Sequence, residues 1–121
     1  SLTGQPIAAL GFSLGGYFAL WLSAERPEAV SKAVVFYSTG GSDFSTARAA
    51  YLGHFAEIDP YEPLEGVKAL EASLHAAGRP VTFHTYPGTG HWFFEADRPD
   101  AYNPAAAQLA WERTLAFLKG G

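Results

Sequence analysis

Four short apolar runs, each separated from the next by a helix-like or turn-forming stretch, restrict this chain to few folds. The clearest is Lys32-Ala33-Val34-Val35-Phe36-Tyr37. It is apolar almost without interruption, as a strand covered on both faces must be. Ile7-Ala8-Ala9-Leu10-Gly11-Phe12 comes before it, after the breaker Pro6, and a less sharply bounded run covers Ala50 to Phe55. Val81 to Tyr86 is the fourth. Three stretches of helical period lie around these runs. The first begins near Leu14, runs through Phe18, Leu20, Trp21 and Leu22, and is stopped by Pro27. The second spans about Pro63 to Ala77, with Val67, Leu70 and Leu74 along one face and Gly78 as its stop. The third opens at Asn103-Pro104, a polar cap with a first-turn proline, and carries Trp111, Leu115 and Leu118 at spacings of four and three. This alternation predicts an α/β fold, a mainly parallel four-stranded sheet flanked by helices.

At 121 residues the chain is long enough for one domain, residues 1–121. Its net charge of −4 is spread over interspersed acidic and basic residues. No basic stripe is available to meet phosphates, so no nucleic-acid partner is expected. There is no cysteine, which removes disulfides, thiolate metal sites and a cysteine nucleophile together. No apolar run approaches the roughly 18 residues that a membrane helix needs. Ser1-Leu2-Thr3-Gly4-Gln5-Pro6 has neither the charge nor the apolar stretch of a signal peptide, and the expectation is a cytoplasmic protein with no membrane partner.

Gly11-Phe12-Ser13-Leu14-Gly15 fits Gly-x-Ser-x-Gly, a sharp strand-to-helix turn that lifts a serine hydroxyl above the sheet. Such a turn brings the residues two before and two after the serine close together, so a side chain at Gly11 or Gly15 is expected to clash. The motif alone would arise by chance in roughly one such chain in ten, and its position carries the weight. It falls where a strand ends and a helix begins. Free N–H groups of that helix start lie beside the serine, and Leu14 N–H is the natural oxyanion donor. A phosphate-binding turn is the competing reading. It would call for a lysine or further donors, and the residue after Gly16 is Tyr17.

A serine nucleophile needs a base, and the base a carboxylate to orient it. Around this kind of turn the acid and then the base follow the serine along the chain. Of four histidines, His54 and His84 lie within strands and His75 on a helix. His91 alone follows a strand, after the glycine-rich stretch Pro87-Gly88-Thr89-Gly90, which is expected to be a loop. Asp59, at the end of the third strand and before Pro60, is the candidate acid, with Glu57 its nearest competitor. Asp43 belongs to a longer polar loop after Thr39-Gly40-Gly41-Ser42, while Asp97 and Asp100 come after His91 and break the order. Tyr37, His54, Trp92 and Phe93 could line an aromatic pocket, though core packing is the favoured reading of each.

The chain resembles the dienelactone hydrolase family, a branch of the α/β-hydrolases. The similarity runs through nearly all of it. Its plainest parts are Gly11-Phe12-Ser13-Leu14-Gly15-Gly16, Gly53-His54-Phe55-Ala56-Glu57-Ile58-Asp59-Pro60, Tyr86-Pro87-Gly88-Thr89-Gly90-His91-Trp92-Phe93 and the tail from Arg98 through Thr114. The resemblance implies a Ser13, Asp59, His91 triad that cleaves carboxylic esters or lactones through an acyl-enzyme, without a cofactor. Three features depart from the family. Founding members carry cysteine where this chain has Ser13, so esterases with serine there look more similar. Trp92 stands where a glycine is common. A member is also about twice this length, so the chain is similar to its C-terminal half. Such a half leaves one edge of Ile7–Phe12 unpaired, and the expectation is a homodimer or a separate N-terminal half as partner. The alternative reading is a catalytically silent half-hydrolase that serves as an interaction or assembly module.

Overall fold

The computed structural model describes residues 7–40, 43–59 and 61–120. Expectations for residues 1–6 and for Gly41, Ser42 and Pro60 lie outside the described residues. The element order is β1 (Ile7–Phe12), α1 (Leu14–Glu25), β2 (Val30–Phe36), β3 (Ala50–Ile58), α2 (Leu64–Ala76), β4 (Val81–Gly90) and α3 (Pro104–Lys119). The strands lie in the order β1-β2-β3-β4, and every neighbouring pair is parallel. This is the α/β fold that the alternating pattern predicts.

Two cores occupy the two faces of the sheet, because successive strand residues point to opposite sides. Ala33 and Val35 of β2, with Tyr51 and Phe55 of β3, pack with Ala19, Leu20 and Ala24 of α1 and Val67, Leu70 and Leu74 of α2. Val34, Phe36, Leu52 and Ala56 face the other way, toward Tyr86, Phe93 and the small residues Ala106 and Ala110 of α3. The buried stripe of α3 is therefore Ala106, Ala107, Ala110 and Thr114, while Trp111 is exposed. Small residues let that helix lie close to the sheet. Its start is capped as expected, with Asn103 Oδ1 accepting from Ala106 N–H at 3.1 Å.

Three strands differ in their bounds from the sequence expectation. β2 begins at Val30 and stops at Phe36, because Tyr37 has φ 40° and leaves the sheet. β3 continues to Ile58, three residues further than its apolar run suggests. β4 continues through the stretch expected to be a loop, as far as Gly90. A bulge explains this last difference. Ala56 pairs with Tyr86 and Ile58 with Gly90, so β4 carries extra residues between two paired positions. Gly88, at φ 72°, supplies the left-handed turn, and its N–H donates to Glu57 Oε1 at 2.8 Å. Thr89 Oγ1 closes the bulge by donating to Tyr86 O at 2.6 Å.

α1 is apolar around most of its circumference, but only Gly16, Ala19, Leu20, Ser23 and Ala24 are buried. Phe18 and Trp21 remain 56% and 46% exposed. β1 beside it is an edge strand, hydrogen-bonded only to β2 among the described residues. Among the described residues no helix is long and apolar enough to cross a membrane.

Candidate active site

The C-terminal ends of parallel strands are where ligands gather in α/β sheets, and the candidate residues all emerge there. Ser13 follows β1 directly and adopts φ 53° and ψ −117°, a conformation that L residues avoid. Two main-chain bonds hold it. Ser13 N–H donates to Phe36 O at 3.0 Å, and Ser13 O accepts from Tyr17 N–H at 3.1 Å. A Cβ on Gly11 would lie 2.1 Å from Gly15 O, so Gly11 is obligatory. The expectation for Gly15 needs correction: a Cβ there would meet nothing within 4 Å. The second crowded position is Gly16, where a Cβ would come 2.6 Å from Ser38 Cβ. The helix start turns Gly15 outward and Gly16 toward β2.

Ser13 Oγ lies 3.1 Å from His91 Nε2, and His91 Nδ1 lies 2.6 Å from Asp59 Oδ2. The side chains of His91 and Asp59 are 5% and 1% exposed. A carboxylate can only accept, so Nδ1 carries the imidazole proton and Nε2 presents a lone pair to the serine hydroxyl. Asp59 Oδ1 accepts from Tyr61 N–H at 2.9 Å and from Glu62 N–H at 3.1 Å, which fixes the carboxylate plane. Glu57, the competing acid, instead binds the β4 bulge. Leu14 is the first residue of α1 and borders the same cleft as Ser13.

That cleft has a volume of about 270 Å³ and is lined by Ser13, Tyr17, Thr39, Tyr61, Glu62 and His91, among others. Sequence reasoning missed Thr39, Tyr61 and Glu62. Glu62 Oε1 accepts from Thr39 N–H at 2.6 Å, tying the loop after β2 to the turn that holds Asp59. Burial pushes the Glu62 carboxyl above its ordinary value, and the hydrogen bonds from Thr39 oppose that push. A larger hollow of about 550 Å³ borders His91 through Ile58, Trp92 and Arg98.

Aromatic rings enclose the imidazole. The centroids of Trp92, Tyr37 and Tyr61 lie 4.6, 4.7 and 5.0 Å from that of His91. Of the candidate pocket residues, Tyr37, His54 and Phe93 are fully buried in the core, and Trp92 borders the hollow. Trp92 has φ 68°, the backbone region that a glycine there would occupy freely. Arg98 lies over its indole at 4.0 Å.

The sequence profile of the Dienelactone hydrolase family matches residues 2–120. A carboxymethylenebutenolidase of Rhodococcus opacus is 30% identical over 95% of this chain and 50% of its own length. A Bradyrhizobium protein named "Probable 2-oxo-3-(5-oxofuran-2-ylidene)propanoate lactonase" is 32% identical over 93% of this chain and 50% of its own. Among solved structures, a dienelactone hydrolase-like promiscuous phosphotriesterase from metagenomic libraries superposes with TM-score 0.83. It is 20% identical, and the match covers 92% of this chain and 50% of that one. The chain spans about half the length of the curated relatives it matches.

Proposed function

Because this chain belongs to the dienelactone hydrolase family, we propose that the protein hydrolyses carboxylic esters or lactones, with Ser13 as nucleophile, His91 as base and Asp59 as acid. The observation that carries the reading is the unbroken hydrogen-bonded path from Ser13 Oγ through His91 to Asp59, on a serine with a strained backbone. Ser13 Oγ attacks the carbonyl carbon while His91 Nε2 takes its proton. The resulting imidazolium is held by Asp59. Leu14 N–H, at the α1 N-terminus, supports the oxyanion. His91 then returns the proton to the leaving alcohol, leaving an acyl-Ser13 ester. Water, deprotonated by the same imidazole, attacks that ester and releases the acid. Each step uses only these residues and water. The names of the Rhodococcus and Bradyrhizobium relatives support esters and lactones as the substrate class.

The test is labelling by a fluorophosphonate probe together with turnover of a short-chain aryl ester. Both are expected in the parent protein and lost in Ser13→Ala at unchanged fold. Ser13→Ala activity within about tenfold of the parent would remove Ser13 from the mechanism.

A second reading is favoured by the open edge of β1 and the uncovered Phe18 and Trp21 of α1. In it the chain is a catalytically silent assembly module whose β1 edge pairs with that of a second copy. Absence of probe labelling, with light scattering at twice the chain mass, would favour it. A folded monomer removes it.

A further inference from the structure

Among the described residues, three non-glycine residues have positive φ: Ser13, Tyr37 and Trp92. All three meet at His91. Ser13 shares a hydrogen bond with it, and the Tyr37 and Trp92 rings lie against it. Backbone strain of this kind persists only where the surroundings over-determine it. One short stretch supplies a polar contact to each of the two rings. Tyr37 OH donates to Glu95 Oε2, and Arg98 covers the Trp92 ring. Glu95 and Arg98 share a turn, closed by Arg98 N–H donating to Glu95 O at 3.0 Å.

We propose that Glu95 is a positioning residue for His91, acting through the ring of Tyr37. This inference rests on the reading of His91 as the base. The bond from Asp59 to Nδ1 fixes one point of the imidazole, and the tilt of its plane about that bond is left to the rings packed on it. Proton transfer from Ser13 requires the Nε2 lone pair to stay aimed at Oγ. The Tyr37 ring is wholly buried, packs edge-on against Phe93 with centroids 5.5 Å apart, and presses on the imidazole from that side. Its phenol is tied down by Glu95, so the ring cannot withdraw. Burial and the neighbouring Glu95 carboxylate both push the Tyr37 phenol upward, and it stays a donor throughout the neutral range. Tyr61, by contrast, is exposed and has no comparable anchor for its hydroxyl among the described contacts.

The experiment compares Glu95→Leu, Glu95→Gln and Tyr37→Phe. Leu and Phe break the phenol–carboxylate bond, whereas Gln keeps an acceptor for the phenol. Glu95→Leu and Tyr37→Phe are expected to lower kcat by roughly 10- to 100-fold. KM should remain within about twofold and Glu95→Gln near the parent. A second readout does not require turnover: the low-field NMR proton of the His91–Asp59 hydrogen bond. Recorded in a Ser13→Ala background, it should shift or broaden with Glu95→Leu and Tyr37→Phe and be restored with Glu95→Gln. An unmoved proton in all three variants overturns the proposal, as does a fall in kcat that only tracks the folded fraction by circular dichroism. Residual hydrolysis in Ser13→Ala would instead count against the nucleophile and leave the NMR result to decide the role of Glu95.

Discussion

His54 Nε2 lies 2.9 Å from Thr114 Oγ1, and this contact fixes the tautomer of a fully buried imidazole. The Thr114 hydroxyl already donates to Ala110 O at 2.8 Å, so it must accept from His54. Nδ1 is then bare and accepts from Tyr86 OH at 2.7 Å. The ring is neutral and bridges β3, β4 and α3, and a second proton on Nδ1 would force the Tyr86 hydroxyl to give up its donor role. Burial depresses its pKa from 6.5 to about 3, with smaller contributions in the same direction from His84 and Arg113.

Acid should therefore destabilise the fold through His54. Below pH 6.5 the unfolded chain takes up a proton at this position and the folded chain does not. Stability is present in full above the unfolded pKa and falls as pH drops from 6.5 toward about 3, by up to about 1.4 kcal/mol per pH unit from this group. Urea titrations between pH 7 and 4 should show that slope. In His54→Gln, which cannot titrate, the slope should flatten even though overall stability is lower. An equal slope in both proteins would rule out His54 as its source.

Asp59→Asn should leave the fold intact and lower kcat by about 10³- to 10⁴-fold. The two N–H donors of Tyr61 and Glu62 will retain the amide oxygen, which turns the amide NH₂ toward His91 Nδ1. Nδ1 must then accept, the imidazole proton moves to Nε2, and Ser13 loses its base. A tenfold loss or less would mean that the carboxylate does not set the tautomer.

The two glycines flanking Ser13 should respond oppositely to alanine. Gly11→Ala forces a methyl into the Gly15 carbonyl and is expected to cost several kcal/mol or prevent folding, about as severe as the worst overpacking. Gly15→Ala meets open space within α1 and should be neutral or stabilising by up to ~1 kcal/mol. Thermal denaturation of the pair checks this, and similar losses in both would contradict the geometry.

Trp92→Gly removes a side chain from a left-handed backbone position that costs about 1–2 kcal/mol. It also deletes the stacking on Arg98 and Tyr61. The net change in stability should stay within about 1 kcal/mol, because these effects oppose each other. The hollow beside His91 should widen, and KM for bulky aryl esters should fall more than for acetyl esters. An unchanged preference between the two would show that Trp92 does not bound the substrate.

The four strands were legible as apolar runs, although only β1 ends where its run does; Ser13, Asp59 and His91 each follow directly on the last residue of β1, β3 and β4. Their proximity in space was readable from the order of a parallel sheet. The surrounding residues were not. Tyr37 reads as the last residue of a strand, since nothing local reports that its main chain turns left-handed to place the ring on His91. Glu95 and Arg98 lie in a polar stretch whose path depends on turns back to Phe93 and Trp92. The crowding of Gly16 rather than Gly15 arises from Ser38, a neighbour in space through the parallel pairing of β1 and β2. β4 was cut short because Pro87-Gly88-Thr89-Gly90 carries every mark of a loop, while its pairing beyond the bulge is supplied by Glu57 and Ile58 on another strand.

Ile58 and Gly90 are ladder partners, and Asp59 and His91 are the residues that come next on each strand. The spacing of acid and base is thus inherited from main-chain pairing and not from the course of any loop. Segments that touch neither His91 nor the turn holding Asp59 can be lengthened or rewritten without altering that spacing. A one-residue shift of the Ile58–Gly90 pairing itself would have the opposite consequence. It would carry His91 along its strand and turn its side chain to the other face of the sheet, away from Asp59 and Ser13.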